Sequence, residues 1–511
     1  MSVLSTAIDL TRVSRIVGYK IKPAVFNPAT PYLPQRIAVL GEANTANQAT
    51  LETDPFEFIT AKEVADKYGY GSPLHQMARI LRPVSGNPLG GIPTIIYPQE
   101  ENVAATAGVY TLGIAVATAV TKNVTHKIRI NGRDSIDGVS YDIDLVVGDL
   151  QADVQDKIVD AINNVLAAPV TAAEATADVE LTTKWKGATA ILSVEIDTQN
   201  EAAGVVYSEV SNVDGTGATD LTDALADFGE NWNTIVLNPY GSETFSALET
   251  FNGVPDPTTP TGRYEPSVFK PFVALYGSTL SDKDNVVAIT NVTARQDQVT
   301  NVHCPAPNSD GFPWEAAANM CMTFAPIAQN SPHLDNSAKS YPDMPVPENE
   351  DIGDFSDYNA RDFMVKKGSS TVSLRSGKYS VEDFICTYHP DGENPPLFRF
   401  VRDLNVDWNV GFNELIIMQR DIQDKTIVPD NSPSRVDNTI SPKQAKQIHI
   451  SLIASLAELA LIADPDFSEE NLLVGINETN PARMDVAFKY KRTSTAHIVS
   501  TDAAVGFNFS S

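Results

Sequence analysis

The chain is poor in cysteine, histidine and basic charge, and each scarcity removes a class of function. Three cysteines in 511 residues, Cys304, Cys321 and Cys386, are too few and too scattered for a disulfide framework or a CxxC metal knuckle. Seven histidines supply no i,i+3 or i,i+4 pair, so no helical metal site is written here. Lysine and arginine number 37 against 65 acidic residues, a net charge of −28. Such a surface repels phosphate backbones and anionic lipid, which argues against direct nucleic-acid binding and against membrane. Residues 1–10 have no basic region followed by an apolar core, the mark of a secretory signal. The longest apolar-leaning run, 448–463, is broken by His449, Ser451, Ser455 and Glu458 and reads as a buried helix, not a membrane span.

Catalytic signatures are also missing. There is no Walker loop, GxSxG elbow, HExxH or dinucleotide glycine fingerprint. Asp214-Gly215-Thr216-Gly217 is a lone glycine-rich turn without a phosphate-loop lysine. His303-Cys304-Pro305 suggests a thiol–imidazole pair, but adjacent residues rarely face each other and no orienting acid follows. Asp134, Asp137, Asp142 and Asp144 lack EF-hand spacing and a bidentate Glu. The acidic run Glu348, Glu350, Asp351, Asp354, Asp357 has no paired histidine and reads as a solvated segment or a contact for a basic neighbour. We expect no catalytic residues, no metal and no cofactor.

What is present is pattern. At 42% hydrophobic and 8% aromatic residues the chain is globular, and its length implies several domains. Residues 1–34 read as an arm: Val17, Tyr19 and Ile21 alternate with Gly18, Lys20 and Lys22, then Pro23, Pro28, Pro31 and Pro34 punctuate the tether. An α/β core opens at 35–103, with a buried strand at 36–40. Thr60 and Glu63 form a capping-box pattern, and Ser72-Pro73 opens a second helix. Residues 104–210 carry a β-β-α-β-β cycle with an Asn131-Gly132 turn and read as an inserted domain.

The core is expected to resume over 211–365, with a helix from Pro313 to about Thr323 and a polar loop at 329–355. Residues 366–498 form a C-terminal region: a hairpin with strands at 371–374 and 384–388, then long helices at about 409–426 and 443–463. At its end Met484, Val486, Phe488 and Tyr490 alternate with charged residues. Residues 499–511 are a second arm, in which Val505, Phe507 and Phe509 alternate almost to the terminus. An apolar-alternating terminus is an open sheet edge until its own sheet or a neighbouring copy pairs with it.

This order of parts resembles the tail sheath proteins of contractile bacteriophages, the Mu-like group in particular. The resemblance is carried by 36–40 with 63–65, RINGRD at 129–134, KWKG at 184–187, and WNTIVLNPY at 232–240. It continues through the helix start at 313–318, the glycine hairpin at 375–378, and NPARMDVAF at 480–488. It implies an α+β multidomain fold: an α/β core with an inserted β-rich domain and N- and C-terminal arms that complete sheets in neighbouring subunits. The implied function is structural, a six-start helical homopolymer of stacked hexameric rings around a tail tube protein. Such a sheath is capped by baseplate and tail terminator proteins, assembled in the host cytoplasm and part of the virion, and it contracts to drive the tube through the host envelope.

On that resemblance Val17, Tyr19 and Ile21 supply one donated strand and Val505, Phe507 and Phe509 the other. Met484, Val486, Phe488 and Tyr490 form the receiving strand. Lys489, Lys491 and Arg492 make a basic island that either faces an acidic tube or is a solvated strand face. The other readings are the sheath of a phage-derived bacterial contractile device and an acidic hydrolase with an inserted β-domain. A hydrolase requires a deep cleft with two converging carboxylates. A β-rich adhesion protein fits poorly with the absent signal and sparse cysteines.

Overall fold

The computed structural model describes residues 31–393, 396–433 and 436–505. Of the terminal strand residues, Val17, Tyr19, Ile21, Phe507 and Phe509 lie outside the described residues.

Strands β1 (Ile37–Glu42), β2 (Phe56–Glu57) and β3 (Thr94–Gln99) begin a central sheet. The chain then builds β4 (Ala107–Val116), β5 (Val124–Ile130), β6 (Ser135–Ile136), β7 (Val139–Ser140), β8 (Asp142–Leu145), β9 (Val170–Ala175), β10 (Asp178–Lys186), β11 (Val194–Asp197) and β12 (Val205–Val213). It returns to the first sheet with β13 (Ile235–Asn238), β14 (Val273–Ser278) and β15 (Asn301–Pro305). The central order is β15-β14-β13-β1-β3-β2, parallel except for the short edge strand β2.

A parallel sheet is covered on both faces, and the sequence of β1 shows why. Ile37 and Val39 pack with Leu74, Met77 and Trp314 from helices Pro73–Leu81 and Pro313–Asn330. Ala38 and Leu40 pack on the opposite side with Phe228 and Leu248. A continuous apolar run therefore feeds two separate clusters. The expected caps form: Thr60 and Glu63 close a reciprocal box, and Ser72 accepts from the His75 N–H.

Residues 106–216 carry a four-stranded sheet, β12-β4-β10-β9, and a three-stranded one, β11-β5-β8. Helix Gln151–Asn163 buries Val154, Ile158 and Ile162 in their common cluster. This is more β-structure than two hairpins around a helix, because β4 and β12 lie side by side and close the segment at its two ends. Asn131 and Gly132 both take positive φ, 46° and 71°, the geometry of the tight turn expected there.

Three expectations are corrected. Helix Pro313–Asn330 runs past Thr323 and through Pro326, since its buried face outweighs one lost backbone bond. The 329–355 loop is not wholly solvated: Asn336, Tyr341, Ile352 and Phe355 are buried. Its polarity is absorbed by specific pairs, Asn336 Nδ2 donating to Thr323 Oγ1 and the Asp343 N–H to Asn319 Oδ1. The hairpin consists of β16 (Thr371–Arg375) and β17 (Lys378–Asp383), joined at Ser376-Gly377. Residues 384–388 instead form isolated bridges to Phe400 and Val302.

Beyond it come helix Val401–Ile417, a single π-turn Met418–Ile422, the two-residue pair β18 (Thr426–Ile427) and β19 (Thr439–Ile440), and helix Pro442–Glu458. The first of these helices starts eight residues before Asn409. Ser441 and Gln444 cap the second in a reciprocal box. A two-stranded sheet, β20 (Leu473–Ile476) with β21 (Met484–Ala487), ends the regular structure among the described residues.

Candidate assembly site

In a doubly wound sheet the ligand crevice lies beyond the carboxyl ends of strands where the order reverses, between β1 and β13 here. That crevice is filled. Glu42, the last residue of β1, is 2% exposed and accepts from Thr189 Oγ1 at 3.0 Å and Thr219 Oγ1 at 3.3 Å. Trp185 Nε1 donates in turn to Thr189 Oγ1 at 3.0 Å. Burial pushes the Glu42 carboxyl up to about 8. Glu101 accepts from the Lys186 N–H on the same turn. These carboxylates converge, but under the 185–189 turn of the 106–216 segment, where they act as its latch.

The other candidate motifs are absorbed structurally. His303 and Cys304 are buried in β15, His303 bonded to Ser369 Oγ. Asp134, Asp137, Asp142 and Asp144 pair separately with Lys127, Arg79, Ser140 and Thr125. No His/Cys/Asp/Glu group that could hold a metal occurs among the described residues. No described helix is long and apolar enough to cross a membrane. Within RINGRD, Arg129 pairs with Glu348, while Arg133 bridges Glu315 (3.2 Å) and Asp343 (2.8 Å). Part of the acidic loop thus meets a basic surface inside the same chain.

The arrangement most suited to a function gathers both ends of the chain on helix Val401–Ile417. On one face Asn405, Asn409 and Asn413, four residues apart and all buried, form a ladder. Two of the amides donate to the carbonyl one turn back, Asn409 to Asn405 and Asn413 to Asn409. The remaining capacity holds the incoming chain: Asn409 Oδ1 accepts from the Leu33 N–H at 2.7 Å, and Asn413 Nδ2 donates to the Pro31 carbonyl at 2.9 Å. On a second face the outgoing chain is tied down. Tyr490 Oη donates to Asp407 Oδ1 at 2.8 Å, Arg492 reaches Asp407 Oδ2 at 3.2 Å, and Arg402 donates to Thr493. Burial raises the Asp407 carboxyl to about 6, the Arg492 charge opposing it. His497 stacks on Phe400 at 4.4 Å. A third face packs Val406, Val410 and Ile417 on Leu452, Ile453 and Leu456 of the following helix.

The β20–β21 hairpin rests on this base. Val474 and Val486, directly paired across the strands, pack with Phe488 and Tyr490 against the same cluster. Of the period-2 face expected for Met484, Val486, Phe488 and Tyr490, the last three share that packed side and Met484 lies outside the cluster; pairing stops at Ala487, and the Phe488 and Tyr490 rings stack on each other beyond it. Among the described residues neither strand has a second neighbour. Leu473 is exposed, and a side chain at Gly475 would meet nothing within 4 Å. Of the basic island, Arg492 is turned inward, Lys491 pairs with Asp464 at 2.6 Å, and Lys489 is exposed. Val505 is exposed and lies in no strand.

The asparagine ladder escaped the sequence reading, which began the helix at Asn409. Its signal was the four-residue spacing of Asn405, Asn409 and Asn413 among apolar residues.

No protein-family model matches the chain, and no curated protein matches it. Among solved structures it is similar to a sheath tail protein from Desulfitobacterium hafniense, at 11% identity and a TM-score of 0.43, covering 94% of this chain and 100% of that one. It is also similar to the helical sheath of the anti-feeding prophage in its contracted state, at 8% identity and a TM-score of 0.44, covering 96% of this chain and 99% of that one.

Proposed function

We propose that this chain is a non-enzymatic structural subunit of a contractile tail sheath. It polymerises as stacked hexameric rings around a tail tube, and contraction of the lattice drives the tube through an envelope. The observation that carries the reading is the β20–β21 hairpin, open on both edges among the described residues, on the base to which the described chain is tied near both its ends. A lone two-stranded ribbon is marginal in water, and an open edge recruits another strand. Val17, Tyr19 and Ile21 of one neighbour, and Val505, Phe507 and Phe509 of another, add to these edges by β-augmentation. Met484 and Val486 receive them, with Phe488 and Tyr490 anchoring the platform.

About five main-chain hydrogen bonds at ~0.5–1.5 kcal/mol net each, together with aromatic burial, give on the order of 5–10 kcal/mol per arm. Linkages of that strength persist while subunits pivot as rigid bodies into a lattice with larger interfaces, a rearrangement that needs no nucleotide. Lys489 and Lys491 face the tube on this reading, and Arg492 supports them by fixing the strand end to Asp407. The sheath of a phage-derived bacterial device fits the same geometry.

The test is truncation. Deleting residues 1–22 or 504–511 is expected to leave a folded monomer that forms no striated tubes in negative-stain microscopy. Normal tubes from either truncation overturn the proposal.

A further inference from the structure

A cavity of about 280 Å³ opens beside the helix that holds both chain ends. Its walls are aromatic: Tyr264, Phe269, Phe398, Trp408, Phe488 and Tyr490. These rings come from the core, the 398–408 segment and the C-terminal segment, so the cavity exists only when the three are packed together. Two features mark it as more than a packing defect. Phe269 holds φ at +38°, a backbone that bulky residues avoid, and its ring lies where a Cβ on Gly411 would stand 2.4 Å from Cε1. Trp408 Nε1–H and the Tyr264 hydroxyl, on residues 2% and 7% exposed, lie beside each other outside hydrogen-bonding geometry and have no other partner among the described residues. Native interiors rarely leave such donors unpaired. Glu414 adds a carboxylate to the wall, with one oxygen 3.2 Å from His449 Nε2.

The chemistry selects the occupant. The volume lies below the usual range for whole small-molecule ligands, which starts at roughly 300 Å³, and suits one large side chain. An aliphatic side chain leaves Trp408 and Tyr264 unpaired, and a lysine offers them no acceptor. A phenol meets every demand: its ring packs edge and face on the walls, its oxygen accepts from Trp408 or Tyr264, and its O–H donates to Glu414. Residues 1–30 contain one tyrosine, Tyr19, whereas residues 506–511 offer only phenylalanines. The chain is pinned at Pro31, and the twelve residues back to Tyr19 reach up to about 40 Å when extended, far enough to leave the subunit.

We propose that this cavity is the receptor for the phenol of Tyr19 from a neighbouring copy, which sets the register of the donated N-terminal strand. The proposal rests on reading the arms as intersubunit links. The experiment uses full-length chains carrying a photoreactive benzoyl-phenylalanine at Leu397, the exposed chain neighbour of the cavity-lining Phe398, mixed with isotopically labelled chains. Crosslinks are expected to map to the peptide containing Tyr19 on a chain of the opposite label. Tyr19→Phe and Trp408→Phe are each expected to cut the yield several-fold, with the double variant no worse than either. Neighbour crosslinks to this peptide that ignore Tyr19→Phe overturn the phenol site and leave the arm reading standing. Crosslinks confined to one chain, or mapping elsewhere, overturn the proposal, and normal tubes from the 1–22 deletion would show that the arm reading fails with it.

Discussion

Leu33 donates its backbone N–H to the side-chain oxygen of Asn409, 2.7 Å away and 376 residues later in the chain. This bond joins the start of the described chain to the helix that also holds its end. Asn409→Leu removes the acceptor, leaves the buried Leu33 N–H unpaired and breaks the ladder between Asn405 and Asn413. The expected loss is about 1–3 kcal/mol, read from denaturant midpoints, with faster hydrogen exchange at Leu33. An unchanged Leu33 amide would refute the anchoring role.

Glu42 gives the fold a pH dependence of defined sign. Its folded-state pKa, about 8, lies above the ordinary value of 4.5, so unfolding between those limits releases a proton. Stability is therefore full at the acid end of this window and falls as pH rises through it, by a few kcal/mol in all. Glu42→Gln keeps the shape and the acceptor but cannot ionise, and should flatten the profile and raise the melting temperature at pH 8. A wild-type slope surviving in the variant would contradict this account.

Arg133 of RINGRD, half-buried, bridges the buried Glu315 and the exposed Asp343. Arg133→Ala strands the Glu315 carboxyl and is expected to cost about 3–5 kcal/mol. Adding Glu315→Gln should recover part of that loss, a coupling measurable by a double-mutant cycle.

Leu473 is the exposed residue of β20. Leu473→Lys introduces the charge that proteins use to blunt open edges. The monomer's stability should change by no more than about 0.5 kcal/mol, while tube assembly is lost. Tubes of normal yield would show that this strand receives nothing.

Lys489→Glu with Lys491→Glu tests the tube-facing basic surface. Assembly around tubes should fail while sheath-only polymers persist. Coating of tubes at wild-type yield would assign both lysines to solvent.

Much of the core was legible because its signals are local. The β1 run, the Thr60 and Ser72 caps, the Asn131-Gly132 turn and the 484–490 alternation each report backbone geometry within a few residues. Helix ends were read less well where packing overrides propensity, as at Pro326 and at the start of Val401–Ile417. The candidate site was legible in part: the alternating face was visible, but neither the ladder nor the cavity was.

By itself the sequence determined the element types, the scarcity of catalytic and metal chemistry, and a C-terminal segment patterned as strand. Periodicity of 2 or 3.6 residues is a property of neighbours in the chain, and it survives without knowledge of the fold. Only the tertiary structure decided that Leu33 meets Asn409, that Trp185 and Thr189 close the crevice over Glu42, and that six rings enclose one cavity. Those contacts join segments from 80 to 376 positions apart, and their partners are chosen by packing and hydrogen-bond satisfaction, which no local pattern encodes.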